Sequence, residues 1–171
     1  DQMAALTPAQ VASLTTAQIA NLTSTDLNAL SSTQFGALTS TQVTALTTTQ
    51  ITNLSTTSLD ALGTAQFGVL TSAQAVGLTT AQMAALESQD LRALSSAVIR
   101  SLSTDQIAAL GTDQMGQLTT AQVVALNSDQ IISLSSTDLN ALSTAQFAAL
   151  STAQASSLTV GQIAKLETDD L

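Results

Sequence analysis

Leucine stands at every eighth position from Leu6 to Leu166 without exception, and any fold for this chain must treat those leucines as equivalent. Three residues before each leucine lies a second apolar residue, as at Val11, Ile19, Leu27 and Phe35. The residue before that is usually glutamine (Gln10, Gln18, Gln34, Gln42), and two residues that are mostly Ser or Thr follow each leucine. The unit is therefore Leu-[Ser/Thr]-[Ser/Thr]-x-Gln-φ-x-small, with φ apolar. Such self-similarity outranks every other sequence signal for fold.

A single long helix does not accommodate this pattern. Eight residues at about 100° each leave the leucine stripe rotated by roughly 80° per octad, so the apolar residues wind around the axis. A strand fails as well, because spacings of three and five put the two apolar positions on opposite faces. What fits is one short helix per octad, each with its own start signal. A Ser or Thr followed three residues later by Gln, as in Thr15…Gln18 and Thr39…Gln42, is a capping box, and Leu14 with Ile19 is the hydrophobic staple that flanks it. Pro8 after Thr7 suits the first helical position. Gly63, Gly111 and Asn127 are tolerated caps. Glu87 and Glu167 are poor ones, and the neighbouring Ser88 and Thr168 are alternatives, so the frame is open by one residue there. Helices this short do not persist alone. The predicted fold is all-α: a solenoid in which stacking buries leucine and φ, each aliphatic side chain contributing about 1.5–3 kcal/mol.

A longer period overlies the octad. The φ residues run Val11, Ile19, Leu27, Phe35, then Val43, Ile51, Leu59, Phe67, and later Val123, Ile131, Leu139, Phe147. This is a 32-residue cycle. A small residue follows each Phe (Gly36, Gly68, Ala148), which is expected if a large ring needs a small neighbour. A polar one follows the Leu-type φ (Asn28, Asp60, Arg92, Asn140), expected to turn to water. Leu91 and Leu139 lie 48 residues apart, so the cycle slips, but by a multiple of 16. That points to 16-residue αα pairs as the structural unit, with an irregularity at 95–118, where Val98 replaces the Gln. Residues 1–171 form one continuous array, expected to be part of a longer one.

Composition narrows the chemistry. The chain carries 3 basic against 12 acidic residues, a net charge of −9, and has no Cys and no His. Nucleic-acid binding needs phosphate-neutralising Lys and Arg over an extended surface, so it is excluded, and membrane insertion is not expected. Without Cys or His the usual nucleophiles and bases are missing, so no enzyme, catalytic residue, cofactor or metal ligand set is assigned. Three polar features remain. The Gln ladder reads as capping before it reads as a binding stripe. The second hydroxyl row (Thr16, Thr48, Thr64, Thr80) is a candidate water-ordering or glycan-facing surface. Asp105, Asp113, Asp129 and Asp169 share one repeat slot, with Asp105 and Asp113 expected near each other. Carboxylates bind calcium, but first-turn acids also complement the helix dipole.

Leu6-Thr7-Pro8-Ala9-Gln10-Val11-Ala12-Ser13 resembles the opening of a repeat of the TAL effectors, bacterial DNA-reading proteins, but their glycine-lysine loop and base-reading dipeptide are absent. Across the whole chain, the Leu-Thr-Thr-x-Gln consensus is similar to low-complexity repeats of very large secreted or surface-located, adhesin-like bacterial proteins. That resemblance implies an extracellular or cell-surface spacer, stalk or filament-forming segment whose partners are adjacent repeats or copies of itself. The other class to weigh is a binding module whose hydroxyl or acidic face takes a glycan, ice or calcium.

Overall fold

In the computed structural model, which describes residues 2–166, a short 3₁₀ turn at Met3–Ala5 is followed by one α-helix per octad. Numbered in chain order they run from α1 (Pro8–Ser13) and α2 (Thr16–Asn21) to α20 (Val160–Ile163), each four to six residues long. No strand occurs among the described residues. Each helix is too short to hold itself, and what defines it is local. In α2 the Thr15 Oγ1 accepts the Gln18 N–H at 3.2 Å, while the Gln18 Oε1 accepts the Thr15 N–H at 2.8 Å.

The corners are as regular as the helices. Leu14 ends α1 at φ −62°, ψ 142°, and the next residue, the cap Thr15, lies at φ −72°, ψ 157°. Two successive residues near the polyproline region redirect the chain. The leucine N–H is not wasted at the corner, since Leu14 donates to the Val11 carbonyl at 3.1 Å. No described residue has a positive φ, so the corner does not require the left-handed glycine that ends many helices. Ser, Thr, Asn, Gly and even Glu87 stand in the cap slot, where Glu87 caps α11 (Ser88–Ala93) without a side-chain bond.

The octads group in threes. Every helix from α1 to α17 packs on the one three further along, so that α2 lies against α5 (Ser40–Ala45) and α13 (Thr104–Ala108) against α16 (Ser128–Ser133). One coil is therefore three helices and 24 residues, not the 16-residue pair expected from the sequence. The even spacing of the slip reflected which octads are alike, whereas stacking is decided by how many corners return the chain over itself. The φ residues line the axis and most are wholly buried, while the leucines from Leu30 to Leu142 are 1–6% exposed. Leu6, Leu14, Leu22, Leu150 and Leu158 of the end coils are only partly buried. Through residues 95–118 the three-helix packing continues, with α12 (Ser96–Ser101) against both α9 (Ser72–Val76) and α15 (Thr120–Ala125).

Three octads per coil also explain the small residues. A Cβ built on Gly36 would stand 3.0 Å from the Ala61 carbonyl oxygen, and one on Gly116 would stand 2.9 Å from that of Ala141. Both carbonyls belong to the next coil, 25 residues on. The glycines thus make room for the end of the helix above rather than for the preceding large side chain. Gly116→Val is expected to destabilise the chain by about 1–3 kcal/mol through overpacking against backbone, whereas Gly63→Ser, in a cap slot where the nearest atom is 3.6 Å away, changes stability by no more than a few tenths of a kcal/mol, about the span between Ser and Gly caps. Thermal unfolding of the two variants tests the contrast.

Candidate functional site: the buried glutamine ladder

The glutamines are the most regular polar feature of the sequence, and nearly all of them are inside. From Gln34 onward the octad glutamines are 1–8% exposed. That removes the binding-stripe reading, since no ligand reaches them. Each does two jobs. Its Oε1 closes the capping box, and its Nε2 reaches across to the coil below. Gln42 donates to the Val11 carbonyl at 2.9 Å and the Leu14 carbonyl at 2.7 Å. The same pair of contacts, 28 and 31 residues back, is made by Gln50, Gln74, Gln82, Gln106, Gln114, Gln122, Gln130, Gln154 and Gln162. In the Phe octads the amide shifts by one residue. Gln66 reaches Gly36 at 3.3 Å and Leu38 at 2.6 Å, and Gln146 likewise takes Gly116 and Leu118. The capping half of this arrangement follows from the octad alone. The bridging half depends on which octads stack, which the sequence pattern does not state.

The ladder has gaps. Ser58 is too short to bridge, and Asn28 serves instead. Its Oδ1 accepts from the Ser55 N–H at 2.9 Å and the Ser58 hydroxyl at 3.1 Å, while its Nδ2 donates to the Asn53 carbonyl at 2.8 Å. Asn140 likewise donates to the Lys165 carbonyl. These residues were expected to face water; Asn28 is exposed and Asn140 half-buried, and both join coils as well. Asp26 and Asp138 fill the Gln slot as capping acceptors, with Asp26 Oδ2 taking both the Thr23 hydroxyl and N–H. Those two bonds hold the Asp26 carboxyl below its ordinary range. Asp90 fills the same slot with the opposite result. It is 2% exposed, its Oδ1 has no hydrogen-bond partner, and burial, with Glu87 and Asp60 adding to it, raises it to about 6. Burial and Glu87 also raise Asp60.

The hydroxyl rows divide by role. The first row caps helices. The second is Ser or Thr in every octad from Thr16 to Thr152, and so on all three sides of the solenoid, one of which runs through Ser24, Thr48, Ser72, Ser96, Thr120 and Thr144. There Thr48, Ser72 and Ser96 donate to Ala73, Ala97 and Ala121 of the next coil at 3.3–3.4 Å. Asp105 and Asp113 are exposed and lie on different sides, because adjacent octads occupy different sides of a coil. It is Asp105 and Asp129, on the stacked α13 and α16, that share a column. Asp169 lies outside the described residues, as does the cap slot of Glu167. Among the described residues no group of three acidic, His or Cys side chains is arranged to hold a metal ion, and no helix is long and apolar enough to cross a membrane.

A coil of capped helices joined by buried amides defines a solenoid repeat protein. The chain belongs to the ALTTAQ repeat family, whose model matches residues 19–56, 83–120 and 131–168. Each match begins on a φ residue (Ile19, Met83, Ile131), in register with the octad. No curated protein and no solved structure matches the chain.

Gln82→Ala removes one acceptor and two donor contacts at a buried corner, and it leaves the Thr79 N–H and the Leu54 carbonyl without partners. A loss of about 2–4 kcal/mol is expected from stranding such groups. Gln10→Ala, at an exposed position that makes only the capping bonds, is expected to lose about 1 kcal/mol or less. Urea titrations of both variants measure the difference.

Proposed function

We propose that this chain is a structural module, a spacer, stalk or filament-forming segment of a bacterial extracellular or cell-surface protein. The observation that carries the reading is where the polar groups go. The glutamines, the capping hydroxyls and the second-row hydroxyls of Thr48, Ser72 and Ser96 are used between or within coils, so the repeated polarity builds length. Among the described residues, the depression bordered by Gln2, Met3, Leu22, Thr25, Asp26 and Ala29 is lined by ordinary repeat residues and gathers no convergent set of reactive groups. In this reading the chain works by its extent, and its partners are adjacent repeats or further copies of itself. The charge of −9 keeps such a rod soluble, and the similarity of the consensus to adhesin-like bacterial repeats supports the surface location.

A second reading, a hydroxyl face that orders water or takes a glycan, is favoured only by the unbroken Ser/Thr column. Thr48, Ser72 and Ser96 in that column are engaged in coil-to-coil bonds, and we place it second. Helices in contact stack at about 8–10 Å, so each added coil lengthens the module by about that much. Small-angle scattering on this chain and on versions extended by one and two 24-residue coils is expected to show the maximum dimension rising linearly by that step. Compaction on lengthening, or thermal hysteresis of the purified chain, would replace the spacer reading.

A further inference from the structure

Two consecutive octads lack the bridging amide, at Asp90 on α11 and Val98 on α12. Val98 is buried and apolar and asks for no partner. Asp90 does ask for one. It lies in the slot from which Gln82 and Gln106 each reach carbonyls 28 and 31 residues back, and by that register the carbonyls before it are those of Leu62 and Leu59. A carboxylate accepts hydrogen bonds and donates none, so in its ionised form Asp90 sets oxygen against oxygen. A carboxylic acid carries one O–H to give.

The surroundings remove the usual ways of keeping an aspartate charged. The cap residue is Glu87, which makes no side-chain cap bond, so the hydroxyl that serves Asp26 is missing. Below it, Asp60 stands 27 and 30 residues before Glu87 and Asp90, the same separations at which Asn28 meets Ser55 and Ser58. The amide network of one four-octad cycle becomes three carboxyl groups in the next. The helices packed on α11 are α8 (Thr64–Phe67) and α14 (Thr112–Gln117). The former has no titratable side chain. The latter carries the exposed Asp113, and Arg92 stands exposed on α11 itself.

We propose that Asp90 is a proton-operated latch between coils: as a neutral acid it donates to the backbone carbonyls of the Leu59–Leu62 corner and fastens α11 down, and as a carboxylate it releases that seam. With Val98 beside it, the middle of the array becomes the place where its stiffness answers to pH. The sign follows from linkage. An unfolded aspartate titrates near 3.9, and Asp90 in the fold is raised to about 6, chiefly by burial and then by Glu87 and Asp60. The stabilisation is complete below the unfolded value, declines as pH rises between the two, and is gone above the folded one. Asp26, held low by its cap, runs the other way.

The test uses the full chain. Carboxyl ¹³C NMR is expected to show Asp90 titrating well above Asp26. Amide hydrogen exchange of Leu91–Leu94, corrected for intrinsic rate, is expected to report an opening equilibrium that rises by up to about tenfold per pH unit between those limits. Asp90→Gln restores the bridge and abolishes that rise. Glu87→Thr restores a capping hydroxyl and brings Asp90 down to the range of Asp26. Asp90 titrating together with Asp26 would overturn the proposal. So would an Asp90→Gln chain that keeps the wild-type pH response at α11.

Discussion

The structure rests on a side-chain amide used from both ends. Glutamine is the one uncharged side chain long enough to close a capping box with its oxygen and still present two N–H groups elsewhere. In this fold those N–H groups meet the carbonyls that every corner leaves over. A helix four to six residues long has more unpaired backbone groups than paired ones. Burying such helices side by side would be ruinous if each corner kept its orphans. The ladder removes the problem at both edges of the coil with a single residue type, and the apolar core then gains from burial without an opposing desolvation cost.

The octad, the capped helix, the staple and the all-α solenoid follow from residues close in sequence, and the structure has them in the expected frame. The frame left open at Glu87 settles on Glu87 as the cap. What could not be read was the number of octads per coil, because no local signal counts corners. The 32-residue cycle misled toward even numbers. On a coil of three octads, however, a cycle of four has a clear effect. Stepping up one coil moves one type back in the cycle, so a Phe octad always lies beneath a Leu-type octad. α4 (Ser32–Gly36) lies beneath α7 (Thr56–Asp60), and α8 beneath α11. Gly36 and Gly68, each after a Phe, face the carbonyls of Ala61 and Ala93 in the octad above. In the slipped region Met115 and Gly116 take the Phe octad's place beneath Leu139, so the pairing survives where the cycle does not.

The polar exceptions were visible but not interpretable for the same reason. Asn28, Asp60 and Arg92 occupy one slot, and Ser58, Asp90 and Val98 occupy another. Only the 24-residue coil shows that Asn28 answers Ser58 and that Asp60 opposes Asp90. Asp26 and Asp90 make the point sharply. They are the same residue in the same slot, yet a hydroxyl cap lowers the carboxyl of Asp26, while burial, with Glu87 and Asp60 adding to it, raises that of Asp90.

The coil contains three copies of the unit that carries all the folding information, and this bears on how such chains change length. Loss or gain of one octad through slipped replication leaves every cap, staple and corner intact, and each amide still finds a carbonyl pair below. The same event turns all downstream residues by a third of a coil, moving each column of side chains to a new side. Length is therefore tolerant of single-octad change, while anything written on one side, such as the column shared by Asp105 and Asp129, is preserved only when octads come and go in threes.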